Sequence, residues 1–472
     1  MVDLVVFGLW LIVVVNAAIV LVPYLRGTGD LFTIRNFYLF GFTIYQVTSG
    51  IITLKDPFSY ESQITLMSQS DTSLRYLLWL IIFEAVFLIF YQWGFASKRL
   101  ARWTPIIKGQ VREPVLWVFA LSLLGVAVLM RFMVLVPYVS VISTQIGTSL
   151  AAVAAGLGAW IWVKRPLNPA AAALMFAVLF MAIIIGIFGE FGRRPLVAIG
   201  GCLVWGTYYA MWRYMPPLRV IVYAGCFSII PVVLIANFTA TRGQENNQAH
   251  SVTSELQKLA RGNTIAGFKD LMAGQQCAAW SMYLMEIYPE TLEYRHLHSI
   301  KYYFQLPIPR AIYPDKPDAL GAIAWRDAGI TGRPSGFTIG PGILGHAGSE
   351  GGFIVLILYG AVLGLFIRYF DAIVARAPYQ PFVALPIGSS MGNLLGLPRG
   401  EVPNFAFSFT VGVLGALIIL IVIARLLKAI GYITDDDFIA EDEYALEDHD
   451  EQHYPYDGLY DPAYANYGKE ED

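Results

Sequence analysis

About eleven apolar stretches, each close to the roughly 20 residues a helix needs to cross a bilayer core, constrain this chain more than any other feature. They fall near residues 4–23, 36–54, 76–93, 115–137, 141–163, 172–189, 195–212, 218–237, 351–370, 380–396 and 405–427. In hydrocarbon every backbone N–H and C=O must find its partner inside the segment, so such spans are helices. The expected fold is all-α, a polytopic membrane protein with about 11 transmembrane helices and one large extracytoplasmic loop. Composition agrees: 56% of residues are hydrophobic and 14% charged, against about 25% charged in soluble proteins.

The spans divide the chain into a first membrane part (1–238), a large outer loop (239–350), a second membrane part (351–430) and an acidic tail (431–472). The tail is rich in Asp, Glu, Tyr and Gly, and it has too few aliphatic residues to offset ordering entropy, so it is expected to be a disordered cytoplasmic tail. The tenth span carries Pro386, Gly388, Gly392 and Gly396. It is expected to be a broken or re-entrant helix, which membranes tolerate where protein or water covers the backbone. The first span is full length and reads as a retained signal-anchor.

Orientation follows from the connection between Gly94 and Pro114, which holds Lys98, Arg99, Arg102, Lys108 and Arg112. The positive-inside rule places it in the cytoplasm. Alternation then puts Lys164, Arg165, Arg213, Arg219 and Arg376 inside. The long loop, the 190–194 turn, the 397–404 turn and the N-terminus fall outside, and the C-terminus is cytoplasmic. A net charge of -3 gives no reason to expect nucleic acid as a partner. Cys202, Cys226 and Cys277 offer neither a disulfide spacing nor a CxxC pair, so no metal or cofactor is expected.

Four outer constellations carry candidate chemistry. Arg193 and Arg194 precede Pro195, which suits the first position of a helix, so two guanidiniums would flank a helix N-terminus as an anion site; snorkelling to lipid phosphates is the alternative. Arg310 and Lys316 lie in a proline-stiffened run suited to clamping a phosphate, unless Asp315 simply pairs with one of them. His346 and Glu350, four apart, would share a helical face as a base and its orienting acid; a structural histidine is the plainer reading. Arg399 and Glu401 project outward between the last two spans, as a ligand contact or an internal salt bridge. His296 and His298 are weaker candidates, spaced as on a strand. Thr264 to Tyr288 is expected to form one or two helices with an apolar face, stopped by Pro289, lying along the outer membrane surface or roofing a cavity, or else serving as a core helix of a small outer domain. Leu306 to Gly345, rich in Pro and Gly, is expected to be irregular.

The runs GEFGRRPLVAI, PIPRAIYPDKP, GILGHAGSEGG and GLPRGEVPN, in this order around the long loop, together resemble the bacterial oligosaccharide repeat-unit polymerases, the O-antigen polymerase (Wzy-type) family, over roughly residues 30 to 428. The resemblance implies a GT-C-like membrane glycosyltransferase of the bacterial plasma membrane. Its substrate would be an undecaprenyl-pyrophosphate-linked oligosaccharide, its surroundings membrane lipid, and there is room for a chain-length regulator as a further partner. It also implies that Arg193, Arg194, Arg310, Lys316 and Arg399 hold the pyrophosphate and that His346 or Glu350 takes the acceptor proton. The acidic tail departs from that family. Three rival readings remain open: an O-antigen ligase-like transferase; a non-enzymatic flippase or transporter of lipid-linked sugar, for which Glu84, Glu190 and Arg131 are the near-membrane charges; and a structural membrane subunit, which leaves the outer arginines unexplained.

Overall fold

The computed structural model describes residues 1–55, 66, 68–107, 110–133, 136, 139–187, 193–240, 262–272, 276–329, 338–434 and 438–439; for residues 110, 187, 193, 194, 230, 231, 234, 235, 238–240 and 438–439 it describes the backbone alone. Eight helices among the described residues are long and apolar enough to cross a membrane. They are α1 (Val2–Leu25), α2 (Ile34–Lys55, with a π-helical turn at Thr43–Thr48), α3 (Gln69–Trp93), α5 (Glu113–Phe132), α6 (Ser140–Lys164), α7 (Pro169–Ile187), α15 (Gly352–Arg376) and α18 (Val402–Ala429). Two further apolar stretches, Pro195–Ala210 and Pro217–Ile229, are shorter; they belong to α8 (Arg193–Ala210) and α9 (Pro217–Ala240). The expected tenth span is broken, as its Pro and Gly content suggested, into α16 (Pro381–Gly388) and α17 (Met391–Gly396). The amphipathic α4 (Phe95–Trp103) follows α3. A two-residue antiparallel ladder joins β1 (Gln110–Val111) to β2 (Phe438–Ile439); the rest of the expected disordered tail, from 435 onward, lies outside the described residues.

Small residues set the packing. In α6 every residue from Gly147 to Ile161 is buried, and eight of those fifteen positions are Gly or Ala. Lipid supplies no hydrophobic drive between helices, so close approach through small residues is what holds them together. A side chain on Gly156 would lie 2.7 Å from Cys202 Sγ and 2.8 Å from Leu385 Cδ2, which marks where α6, α8 and α16 converge. Gly360 and Gly364 of α15 do the same against α3, where a Cβ at Gly364 would come within 2.5 Å of Phe87 O. At the periphery, α1 leaves Leu4, Phe7, Trp10 and Leu11 exposed, the apolar face expected against lipid.

Polar contacts sort to two ends of the bundle. At one end Arg213 grips Asp30 at 2.8 and 3.0 Å, Asp371 accepts the N–H groups of Ile34 and Arg35, Arg376 reaches Ala101 O and Thr104 O, and Arg165 pairs with Glu113. At the other end lie the short helices α10 (Thr264–Met272), α11 (Cys277–Ile287), α12 (His298–Gln305), α13 (Leu320–Asp327) and α14 (Gly342–Glu350). There Gln46 donates to Pro398 O at 2.7 Å and Thr72 to Glu286 at 2.5 Å. Connections that alternation assigns to one side therefore lie together.

Several local expectations change. The Thr264–Tyr288 stretch forms two helices, and the second ends at Ile287. Within the stretch expected to be irregular, Leu320–Asp327 is helical, because an Ala- and Leu-containing run between proline punctuators keeps its helix propensity. His298 opens α12 instead of lying on a strand; positive φ at His296 and Leu297 makes the break before it.

Candidate functional site

Three of the nine residues of α14 are glycine (Gly342, Gly345 and Gly348), a poor intrinsic helix, so tertiary packing holds it: all nine residues are buried. Gly342 starts the helix with φ +65, and a Cβ there would come within 2.1 Å of Gln46 Nε2. Gly348 lets α14 press on Met285 of α11, 3.0 Å from where a Cβ would lie. Gly352 at φ +64 then turns the chain into α15. The four-residue spacing brings His346 Nδ1 to 3.2 Å from Glu350 Oε1, as the sequence predicted.

Around this pair the fold assembles partners from distant segments. Ser299 of α12 touches His346 Nδ1 at 2.5 Å through its hydroxyl, which donates to Glu350 Oε1 at 2.5 Å; its backbone N–H donates to Glu350 Oε2 at 2.9 Å. The Tyr359 hydroxyl of α15 also donates to Glu350 Oε2. On the opposite edge of the imidazole, Nε2 faces Glu401 Oε2 at 3.7 Å and the Val402 N–H at 3.4 Å. The Gly321 N–H donates to Glu401 Oε1. Both His346 and Glu350 have no exposed surface.

The sequence reading had Glu401 projecting outward beside Arg399; instead it is 6% exposed and turned toward His346. Burial pushes its carboxyl above the usual carboxylate range, with His346 and the Gly321 N–H acting against that shift and Glu350 adding to it. Glu350 goes the other way. Burial would raise it, but the hydrogen bond and charge of His346, with Ser299 and Tyr359, outweigh that and hold it below its ordinary value. Hydrogen bonding assigns the tautomer. With the Ser299 hydroxyl proton on Glu350, Nδ1 must carry hydrogen to complete its contact with Ser299 Oγ. In the neutral ring Nε2 then accepts the Val402 N–H, with Glu401 Oε2, a buried atom without a hydrogen-bond partner, 3.7 Å away.

The basic candidates are more dispersed. Arg310 is 56% exposed in its side chain and pairs with Asp318 at 2.7 Å, so the expected competitor Asp315 is not the partner seen. Asp318 also binds Arg326, and its carbonyl meets His298 Nε2 at 3.0 Å, which ties this loop to Ser299. Lys316 donates to Leu306 O and Ile308 O, and burial followed by the Arg310 charge lowers its ammonium from the usual value. His298 is likewise lowered, by burial first. Arg399 lies over the Tyr45 ring at 5.5 Å, while its carbonyl meets Cys277 Sγ at 3.4 Å; burial pushes that thiol up to about 12. The α8 helix begins at Arg193, so both arginines belong to its first turn and Pro195 comes two residues later than expected. The side chains of Arg193 and Arg194, and residues 188–192 including Glu190, lie outside the described residues.

The structure thus unites His346 and Glu350 with the 397–402 turn and, through Asp318 and His298, with the Arg310 loop. Sequence reasoning missed Ser299 and Tyr359. A serine 47 residues from its histidine leaves no periodic trace. Among the described residues no group of His, Cys, Asp and Glu has the arrangement to hold a metal ion.

A scan against protein-family models, a search of curated proteins and a search of solved structures each return no match to this chain.

Proposed function

We propose that this chain is a membrane glycosyltransferase of the bacterial plasma membrane, a polymerase that moves a growing glycan from undecaprenyl pyrophosphate onto the next lipid-linked repeat unit. The observation that carries the reading is the buried His346 imidazole set between Glu350 and Glu401, at the end of the bundle opposite the basic one. Lys98, Arg99, Arg102, Lys164, Arg165, Arg213 and Arg376 belong to the basic end, which the positive-inside rule puts in the cytoplasm. His346 then works at the outer face, where repeat units are joined.

In this reaction an acceptor hydroxyl attacks the anomeric carbon of the donor glycan. The new C–O bond forms as the bond to the pyrophosphate oxygen breaks and its electron pair leaves with the pyrophosphate. The hydroxyl proton passes to His346 Nε2, where Glu401 and Glu350 stabilise the imidazolium. Charge on the leaving group is held by Arg310, Lys316 and Arg399, with Arg193 and Arg194 at a helix N-terminus. Because His346 is enclosed, an acceptor reaches Nε2 only as the 397–402 turn opens.

A second reading, a flippase or transporter of lipid-linked oligosaccharide, draws support from Glu84, a buried acid within a membrane-length helix. The size profile of surface and lipid-linked polysaccharide in cells lacking the gene separates the readings. Single repeat units in place of long chains support the polymerase. Long chains left on the carrier indicate a ligase-like enzyme, and repeat units trapped on the cytoplasmic leaflet indicate a flippase; either outcome overturns the proposal.

A further inference from the structure

Glu84 lies within α3 between apolar runs on both sides and is 7% exposed. An unpaired carboxylate is costly at such a depth, so the groups around it decide its state. Among the described residues no lysine, arginine or histidine forms an ion pair with Glu84, and its Oε1 is buried without a hydrogen-bond partner.

What faces it is neutral. From α1, Asn16 lies at hydrogen-bond reach of the carboxyl. From α2 comes Tyr38, whose ring lies 4.8 Å from that of Phe87, one turn along α3 from Glu84. From α15, Gly360 offers no side chain, and a Cβ there would lie 3.1 Å from Phe83 O. Asn16 Oδ1 and the Tyr38 hydroxyl are also buried without partners. Asn16 is anchored, its Nδ2 donating to Thr43 Oγ1 at 3.0 Å while the Thr43 hydroxyl donates to Leu39 O at 2.7 Å. Thr43 opens the π-helical turn of α2, a widening found frequently at functional sites. The same turn carries Gln46, which bonds Pro398 O beside the outer cluster.

Two buried polar atoms without partners, Asn16 Oδ1 and the Tyr38 hydroxyl, flank a carboxyl whose own Oε1 is unpartnered and that has no counter-ion among the described residues. One proton removes the charge, supplies an O–H donor and requires no cationic residue. We infer that Glu84, Asn16 and Tyr38 form an intramembrane proton-binding site, in which Glu84 is carried as a neutral acid and holds one exchangeable proton. The inference stands apart from the transferase reading, which does not use these residues.

The test uses the full-length protein in lipid nanodiscs and dicyclohexylcarbodiimide, a hydrophobic reagent to which a protonated carboxyl in an apolar setting adds. The carboxyl proton goes to one carbodiimide nitrogen as the carboxyl oxygen bonds the central carbon; the acyl group then shifts to the other nitrogen, its bond to that oxygen breaking, and leaves a stable N-acylurea visible by peptide mass mapping. The expected result is an adduct on Glu84 that is absent in Glu84→Gln. Its rate should fall about tenfold per pH unit once the carboxyl ionises and should stay unchanged when sodium replaces choline. Protection by sodium would overturn the proton site in favour of a metal-cation site, and a rate constant from mildly acidic to alkaline pH would show that the proton does not exchange. Infrared spectroscopy decides the case of no adduct: a protonated-carboxyl C=O band lost in Glu84→Gln supports the site, and its absence from the wild type sinks it. Should Glu84→Gln fail to accumulate, the wild-type pH series with mapped adducts gives the same decision.

Discussion

The two ends of the helical bundle both bury carboxylates, and they neutralise them by different means. At the basic end Asp30 is held by two nitrogens of Arg213 and by the Tyr208 hydroxyl, and Asp371 takes two backbone N–H groups and the Tyr91 hydroxyl. Guanidinium and amide donors do not titrate near neutral pH, so this end is a clamp whose charge is fixed. At the opposite end Glu350 and Glu401 share one imidazole. The first arrangement fixes the 30–35 segment against α15 and the end of α8. The second sets a buried imidazole between two carboxyl groups, which is why the proposed chemistry is assigned there.

The largest expected effect is at the imidazole. His346→Gln keeps a hydrogen-bonding side chain of moderate size but removes the base, so polymer made per membrane-embedded molecule should drop by about 10²–10⁴. Unchanged polymer would reduce His346 to a structural residue and erase the contrast between the two ends. Arg213→Ala should do the opposite. It strands Asp30 in a partly buried site, and stability measured by detergent-solubilised thermal unfolding should fall by about 3 kcal/mol, while turnover per folded molecule stays at the wild-type level.

A smaller, sharper contrast lies within the His346 cluster. The folded-state value of Glu350 lies below its ordinary 4.5, so its contribution to stability is present above 4.5 and is lost as pH falls through the lowered value. That of Glu401 is raised, so its contribution is complete below 4.5 and is lost as pH rises through the raised value. Glu350→Gln should therefore cost roughly 1–3 kcal/mol at neutral pH. Glu401→Gln should instead flatten the pH dependence above 4.5 without a comparable loss. Unfolding curves collected across pH that move together in both variants would contradict the opposite assignments. The smallest stability effect belongs to Arg310→Ala, under about 1 kcal/mol because the Asp318 pair is exposed on both sides. Loss of polymer in that variant with an unchanged melting curve would give Arg310 a role on substrate.

The membrane helices were legible because hydrophobic length is a local property, written in each stretch without reference to the rest. The His346 and Glu350 pairing was legible for the same reason, since four-residue spacing on a helix is local geometry. Ser299, Tyr359 and the inward turn of Glu401 were not, because each meets its partner only after the outer segment folds over the ends of α15 and α18. The Leu320–Asp327 helix was hidden by the prolines around it, and the pairing of Arg310 with Asp318 instead of Asp315 depends on a loop path that composition does not encode.

The most direct test of the account is the polysaccharide size profile in cells whose only copy of the gene carries His346→Gln, with Arg213→Ala alongside and both proteins quantified in the membrane fraction. The account predicts that His346→Gln, present at normal levels, leaves single repeat units, whereas Arg213→Ala makes full-length chains in proportion to the protein that survives. Full-length chains from His346→Gln at normal levels would contradict it.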